Sequence, residues 1–285
     1  MIELRSVDVA QVHAAFLEAF ADYAMGSPAA LPEARLLLRM KKNAVDYGLS
    51  VGAYSDGRMV GFTLLGVDVW GGRLAAYDAG TGIVPAFRGQ GLAHRMFEHA
   101  LPSLAERGVE ELVLEVLETN EPAIRAYRKA GFETTRQLRS FVVQRSALLE
   151  QGLSAWPLRR IGLPRFERIA EEGDWLPSFE NRASAVRAIP GDVSLVGAFD
   201  GHRCVGAYAY YVSLRWLLSL VVCRSHRRRG VGRALLAHAA AHLPDGVESI
   251  AALNVDGADR GMQEFLACAG FTPLVDQFEM RRPMA

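Results

Sequence analysis

The run Arg88-Gly89-Gln90-Gly91-Leu92-Ala93 returns in altered form as Arg227-Arg228-Arg229-Gly230-Val231-Gly232. Each copy follows an apolar, β-like run and precedes apolar residues at helical spacing: Leu92, Met96, Ala100 and Leu104 in the first, Leu235, Leu236, Ala239 and Leu243 in the second. The interval between the copies far exceeds the roughly 20–50 residues of a solenoid unit, so whole domains are repeated. The hairpin-turn dipeptide Asp56-Gly57 recurs as Asp200-Gly201, and Ala130-Gly131-Phe132 recurs as Ala269-Gly270-Phe271. The chain is therefore read as two domains, 1–148 and 149–285, the second opening near Gln151-Gly152.

The 285 residues suit two cores at about 150 residues each. Lys and Arg total 32, as do Asp and Glu, so no global field argues for nucleic acid and no acidic excess argues for disorder. His226-Arg227-Arg228-Arg229 lacks the interleaved aromatics of a single-strand binder. Cys204, Cys223 and Cys268 form no CxxC pair, which fits a reduced compartment and excludes a disulfide framework. Met1-Ile2-Glu3-Leu4-Arg5 has no apolar leader, and no run reaches the roughly 18 residues of a membrane span. The expectation is a cytoplasmic protein with no metal, membrane or nucleic-acid partner, a homodimer being left open.

Periodicity gives a strand at Ile2–Val7, a helix over Val9–Tyr23 and a second from Pro32 through Met40. Strands follow at 49–54, 59–67 and 73–84, then the loop and its helix, a strand at 111–117, a helix at 121–130, and strands around Phe132 and at 141–144. The order is β-α-α-β-β-β-α-β-α-β. The second half repeats it with a helix at 164–172, strands at 193–199, 203–211 and 215–223, the loop helix and a strand at 249–254. The fold class is α/β with a mixed sheet, of the α+β kind.

A glycine-rich loop between strand and helix leaves backbone N–H groups unpaired at the positive end of the helix dipole, which makes an anion site. Gly89 and Gly91 allow close approach of a diphosphate, and Arg88 can add a charge-assisted contact. A plain turn satisfies the same pattern. No Gly-Lys-Ser/Thr follows, against a P-loop, and the preceding strands read as antiparallel, against a Rossmann site.

The wider context adds a strand ending Glu118-Thr119-Asn120 and the helix end Ala126-Tyr127-Arg128-Lys129-Ala130-Gly131-Phe132. Together these motifs resemble the GNAT acyl-CoA N-acyltransferase superfamily, over nearly all of 1–146 and more loosely over 155–283. The resemblance implies two tandem domains in which the strand before the loop splays from its neighbour. Pantetheine of acetyl-CoA would lie in that gap, with its diphosphate on Arg88, Gly89, Gln90, Gly91, Leu92 and Ala93. It also implies that Ile83 and Val84 flank a backbone N–H facing the thioester carbonyl, and that Tyr127 faces the sulfur as general acid. Asn120 would contact the cofactor or order its turn. The acceptor pocket would be built from about Ala19 to Tyr47, where Tyr23, Met25 and Met40 suggest an apolar component.

Two carboxylates compete as base. Asp78 lies six residues before Val84, an even spacing that puts both on one face, and matches a position where relatives carry a glutamate working through water. Glu115 interrupts the apolar strand Leu112–Leu117, where burial would raise its pKa. Either also reads as a solvated or ion-paired structural carboxylate. The same offsets place Leu217 and Leu266 where Asp78 and Tyr127 stand, so the second half is read as degenerate. Trp156, Trp175 and Phe179 read as packing residues or an aromatic wall. The resemblance implies direct acetyl transfer to a primary amine of a small molecule or peptide in a ternary complex, and the first half holds no cysteine to argue for a covalent route. Two alternatives stand beside it: a non-catalytic acyl-CoA-binding scaffold, and activity residing in the second half.

Overall fold

The computed structural model describes residues 2–22, 31–150 and 156–284, so Tyr23, Met25 and Gln151-Gly152 lie outside the described residues. By contacts the chain forms one unit of Met1–Thr135 with Phe278–Ala285, and a second of Arg136–Gln277. The repeat divides the chain near 148; the contact units divide it earlier, and the final segment belongs to the first unit.

The first unit contains β1 (Glu3–Ser6), α1 (Val9–Ala19), α2 (Glu33–Lys42), β2 (Val51–Ser55), β3 (Arg58–Trp70), β4 (Arg73–Ile83), α3 (Leu92–Glu106), β5 (Glu111–Leu117) and α4 (Glu121–Lys129). Strands β1 to β4 form an antiparallel meander, and β4 pairs with β5 in parallel. Leu92, Met96, Phe97, Ala100 and Leu104 of α3 bury against Leu65, Ala76, Leu112 and Leu114, with Tyr127 and Phe132 closing the cluster. On the other face, Phe16 of α1 and Phe20 at its C-cap meet Phe62, with ring centroids 6.0 and 6.2 Å away. Gly82 permits this approach, because a Cβ there would stand 2.5 Å from Phe62 and 2.9 Å from Ala19. Met40, expected to colour an acceptor pocket, is buried core instead.

The remaining elements are β6 (Glu133–Gln144), which begins in the first unit, then α5 (Arg145–Leu149), β7 (Leu158–Arg160), α6 (Leu163–Ala170), α7 (Ala183–Ala188), β8 (Val193–Asp200), β9 (Arg203–Tyr211), β10 (Trp216–Val222), α8 (Val231–Ala241), β11 (Ser249–Asp256), α9 (Arg260–Cys268) and β12 (Thr272–Pro283). In the second unit β7 to β10 repeat the antiparallel meander, β10 pairs with β11 in parallel, and β11 pairs with β6. The strands expected around Phe132 and at 141–144 are one strand, β6. Strand β12 was not legible, because Pro273 and Arg281-Arg282 interrupt its alternation.

Both parallel pairs part early. The β4–β5 ladder runs from Ala75–Glu111 to Asp78–Leu114 and stops, although β4 continues to Ile83 and β5 to Leu117. The β10–β11 ladder ends at Leu217–Ala252. At each parting point a residue is added to one strand: Ala79 bulges between the Leu65–Asp78 and Leu64–Gly80 pairs, and Leu218 bulges between Leu217–Tyr210 and Ser219–Ala209. A bulge sharpens local twist and ends regular pairing, which is the physical cause of the splay. No helix among the described residues is long and apolar enough to cross a membrane.

Candidate active site

Asp78 sits where β4 and β5 separate, with 7% of its surface exposed. Its Oδ2 accepts from Thr81 Oγ1 at 2.8 Å and from the Tyr127 hydroxyl at 3.3 Å, while Oδ1 accepts from the Gly80 N–H at 3.0 Å. Thr81 Oγ1 also lies 3.1 Å from Thr63 Oγ1. Burial pushes the Asp78 carboxyl up to about 6, and these three donors restrain the rise by stabilising the charged form. Tyr127 is held on α4 by edge contacts with Phe97 and Phe132, at 6.0 and 5.9 Å between ring centroids.

The spacing argument that aligned Asp78 with Val84 fails, because the extra residue Ala79 inverts strand alternation between them. Asp78 is instead joined to Thr81 and Tyr127. Leu112, Leu114 and Val116 bury against the helices on the Tyr127 side. Alternation on β5 therefore turns the half-buried Glu115 to the opposite face. The fold brings Asp78 and Tyr127 together and leaves Glu115 apart.

The loop before α3 carries Gly89 at φ 76° and Gly91, the N-cap of α3, at φ 70°. Nothing stands within 4 Å of where a Cβ would project at either, so the cradle is open and only glycine adopts both angles without strain. Gln90 is exposed between them, while Leu92 buries into the core and Ala93 is half-buried beside it. The Arg88 guanidinium turns inward. It donates to Ile83 O at 3.1 Å, to both oxygens of Asp22 at 2.6 and 2.8 Å, and to Ala19 O at 2.9 Å. Four of its five N–H groups are thus occupied. The hydrogen bond from Arg88 lowers Asp22 to about 2. What faces an incoming anion is the backbone and the α3 dipole rather than an outward arginine fork.

The Val84 N–H donates to Val60 O at 2.9 Å, so it is not available to a thioester oxygen. Antiparallel alternation turns the preceding Ile83 N–H toward the gap instead. Asn120 caps α4, its side chain accepting from the Ala123 N–H at 3.2 Å.

In the second unit Leu217 is the last residue paired with β11, the place Asp78 holds in the first, and both Leu217 and Leu266 are buried in the core cluster. Gly230, at φ 83°, caps α8 as Gly91 caps α3. Arg227 repeats the inward turn, donating to Val222 O at 3.0 Å, to Asp174, and to Glu172 O at 3.4 Å. A cavity of about 1670 Å³ opens between the splayed strands, lined among others by Leu217, Leu220, Arg228, Gly230, Asn254 and Leu266. Trp175 stands on its rim, half exposed; Phe179 is buried, and Trp156 Nε1 donates to Arg229 O at 3.0 Å. Reading the sequence missed Thr81, Asp22 and Asp174. An acidic residue after the first helix of each half was the available signal for the last two. Among the described residues no cluster of His, Cys, Asp or Glu suits a metal ion.

The sequence profile described as "Acetyltransferase (GNAT) family" matches residues 13–132 and 160–271. Streptothricin acetyltransferase of Streptomyces lavendulae is 39% identical over 84 residues, 30% of this chain and 42% of that protein. A mycothiol acetyltransferase of Saccharomonospora viridis is 36% identical over 92 residues, 30% of each chain. The chain thus spans less than half the length of these relatives. Among solved structures, a tandem GNAT protein from the clavulanic acid biosynthesis pathway superposes with a TM-score of 0.74 at 17% identity, covering 100% of this chain and 99% of that one. A GCN5-related N-acetyltransferase from Sphaerobacter thermophilus superposes with a TM-score of 0.71 at 18% identity, covering 99% and 96%. At such identities the likeness is one of fold.

Proposed function

The chain belongs to the acetyltransferase (GNAT) family, and we propose that its first unit transfers acetyl from acetyl-CoA directly to a primary amine in a ternary complex. The observation that carries this reading is the Asp78–Tyr127 pair at the mouth of a splay, with the open glycine loop that caps α3 beyond it. Acetyl-CoA supplies the activated thioester; residues 89–93 would hold its diphosphate through backbone N–H groups and the α3 dipole, the Arg88 N–H being already bonded to Pro85 O. The Ile83 N–H takes the charge that develops on the carbonyl oxygen. Asp78, ionised above about pH 6, accepts the proton lost by the attacking amine. Tyr127 gives its phenolic proton to the leaving sulfur, and its hydrogen bond to Asp78 is the path by which it is restored. One proton leaves nitrogen and one reaches sulfur, so the relay balances. Cys204, Cys223 and Cys268 are free thiols, which supports a reducing compartment, the cytoplasm.

The second unit keeps the loop and an open cavity but has Leu217 and Leu266 where the first has its proton-handling pair. This supports a second unit that binds acyl-CoA without transferring from it. The relatives' names designate different acceptors, so the test is a panel: streptothricin, polyamines, aminoglycosides, amino acids and peptides with free N-termini, with CoA release measured and product mass confirmed. Acetylated product from any of them, lost in both Asp78→Asn and Tyr127→Phe, is the expected result. CoA binding without release on every amine would replace the reading with that of an acyl-CoA-binding scaffold.

A further inference from the structure

We propose that Arg88 is a positioning residue, tying the loop that takes the diphosphate to the end of α1, so that filling the loop fixes the acceptor side of the cleft. The inference rests on the loop assignment proposed above and on the acceptor side that the family resemblance puts at about Ala19 to Tyr47. An arginine meant for a diphosphate presents its planar fork outward to the ligand. The Arg88 fork is bidentate on Asp22, its Nε holds the last carbonyl of β4, and its remaining bond goes to Ala19 O in the final turn of α1. One side chain therefore joins the end of the splayed strand, the first residue of the loop and the end of α1.

The second unit builds the same strut from different neighbours. Arg227 joins Val222 O, the Glu172 carbonyl and Asp174, and Arg224 adds two further bonds to Asp174. The strut persists there although leucines stand at both proton-transfer positions. Its role therefore belongs to the mechanics of the loop rather than to proton transfer. An exposed ion pair adds little stability by itself. What it adds is geometry: Phe20 N–H and Ala21 N–H close the last turn of α1 on Phe16 O and Glu18 O, one residue from the strut's anchor on either side.

Hydrogen exchange with CoA as the probe, on the full chain, tests this. Protection of peptides covering Gly89–Arg95 against CoA concentration gives the affinity of the first unit's loop separately from that of the second. In the wild type, CoA should also slow exchange at Phe20–Asp22 at least threefold. In Arg88→Gln and in Asp22→Asn that distant protection should vanish while loop affinity changes less than threefold, and the double variant should be no worse than either single one. With an amine that the wild type acetylates, both variants should raise the amine KM with kcat little changed. A tenfold loss of loop affinity in Arg88→Gln but not in Asp22→Asn would make Arg88 a cofactor ligand and overturn the proposal. So would CoA protection of the loop with no effect at Phe20–Asp22 in the wild type, which would leave the acetyltransferase reading standing. Absence of CoA protection at the loop itself would remove both. Should Arg88→Gln not fold, Asp22→Asn interrogates the same strut from its exposed end.

Discussion

The Tyr127 hydroxyl donates to Asp78 Oδ2 at 3.3 Å, across the point where β4 and β5 part. An acid and a base that share a hydrogen bond can exchange the proton each must gain or lose during acyl transfer. On the proposed mechanism, removing the phenolic oxygen breaks the donor to sulfur and its resupply together. Tyr127→Phe should lower kcat by about 10²–10⁴, the usual size of a general-acid term, with CoA affinity unchanged in calorimetry. Wild-type turnover in that variant would leave the tyrosine a purely structural role.

The raised Asp78 carboxyl sets a pH dependence. A base must be ionised to work, so the rate should fall as pH drops through about 6. Asp78→Asn should abolish this acid limb along with most activity, whereas Glu115→Gln, on the opposite face, should keep it. A limb lost in Glu115→Gln and kept in Asp78→Asn would exchange their roles.

The same shift bears on stability with the opposite sign. A carboxyl whose folded pKa exceeds its unfolded value favours folding only while protonated, so its contribution is fully present below about 4 and lost as pH rises through about 6. Above that range the buried charge costs on the order of 3 kcal/mol, from a shift of roughly two units at 1.36 kcal/mol each. Asp78→Asn should therefore raise Tm relative to the wild type more at pH 8 than at pH 4.5. Equal changes in thermal melts at the two pH values would contradict the burial argument.

The two loops should respond unequally. Gly91 has φ 70° with open space above it, so Gly91→Val strains the backbone and blocks the cradle. CoA affinity of the first unit should drop at least tenfold, about 1.4 kcal/mol. Gly230→Asp puts a charge into the second loop, yet acetyl transfer should fall less than threefold, about 0.6 kcal/mol on the barrier. Assaying both on one amine, with circular dichroism to verify folding, decides which unit works: activity lost at Gly230 and kept at Gly91 would reverse the assignment.

Packing around the splay offers a fifth check. A Cβ at Gly82 would fall 2.5 Å from Phe62 and 2.9 Å from Ala19, where α1 closes on β4. Gly82→Ala should cost about 1–3 kcal/mol of stability by overpacking. Urea unfolding with an unchanged midpoint would mean that α1 yields at no cost.

Much of this was legible in sequence because it is local. Helical spacing in α3, turn dipeptides and the glycine pair of the loop are read within a few residues, and the duplication makes each reading twice. Asp78 is legible as a candidate but its face is not: alternation assumes an unbroken strand, and the Ala79 bulge becomes visible only against its partner β3. The local pattern turns Arg88 toward the anion, because its partner in the fold, Asp22, lies 66 residues away in sequence. Sequence favours Asp78 over Glu115 without excluding either, and it is the β4–β5 register that puts them on opposite faces.

By itself the sequence determined that one domain is written twice, that each copy ends a strand in a glycine-capped helix, and that the first copy has Asp78 and Tyr127 where the second has Leu217 and Leu266. These are properties of residue identity and short-range periodicity. Only the tertiary structure decided which carboxylate meets the tyrosine, where the Arg88 guanidinium is bound, and that the Val84 N–H is taken by Val60 O. Those depend on a bulge, a register and a helix end brought together across long stretches of chain. They are set by packing between elements, which no local pattern encodes.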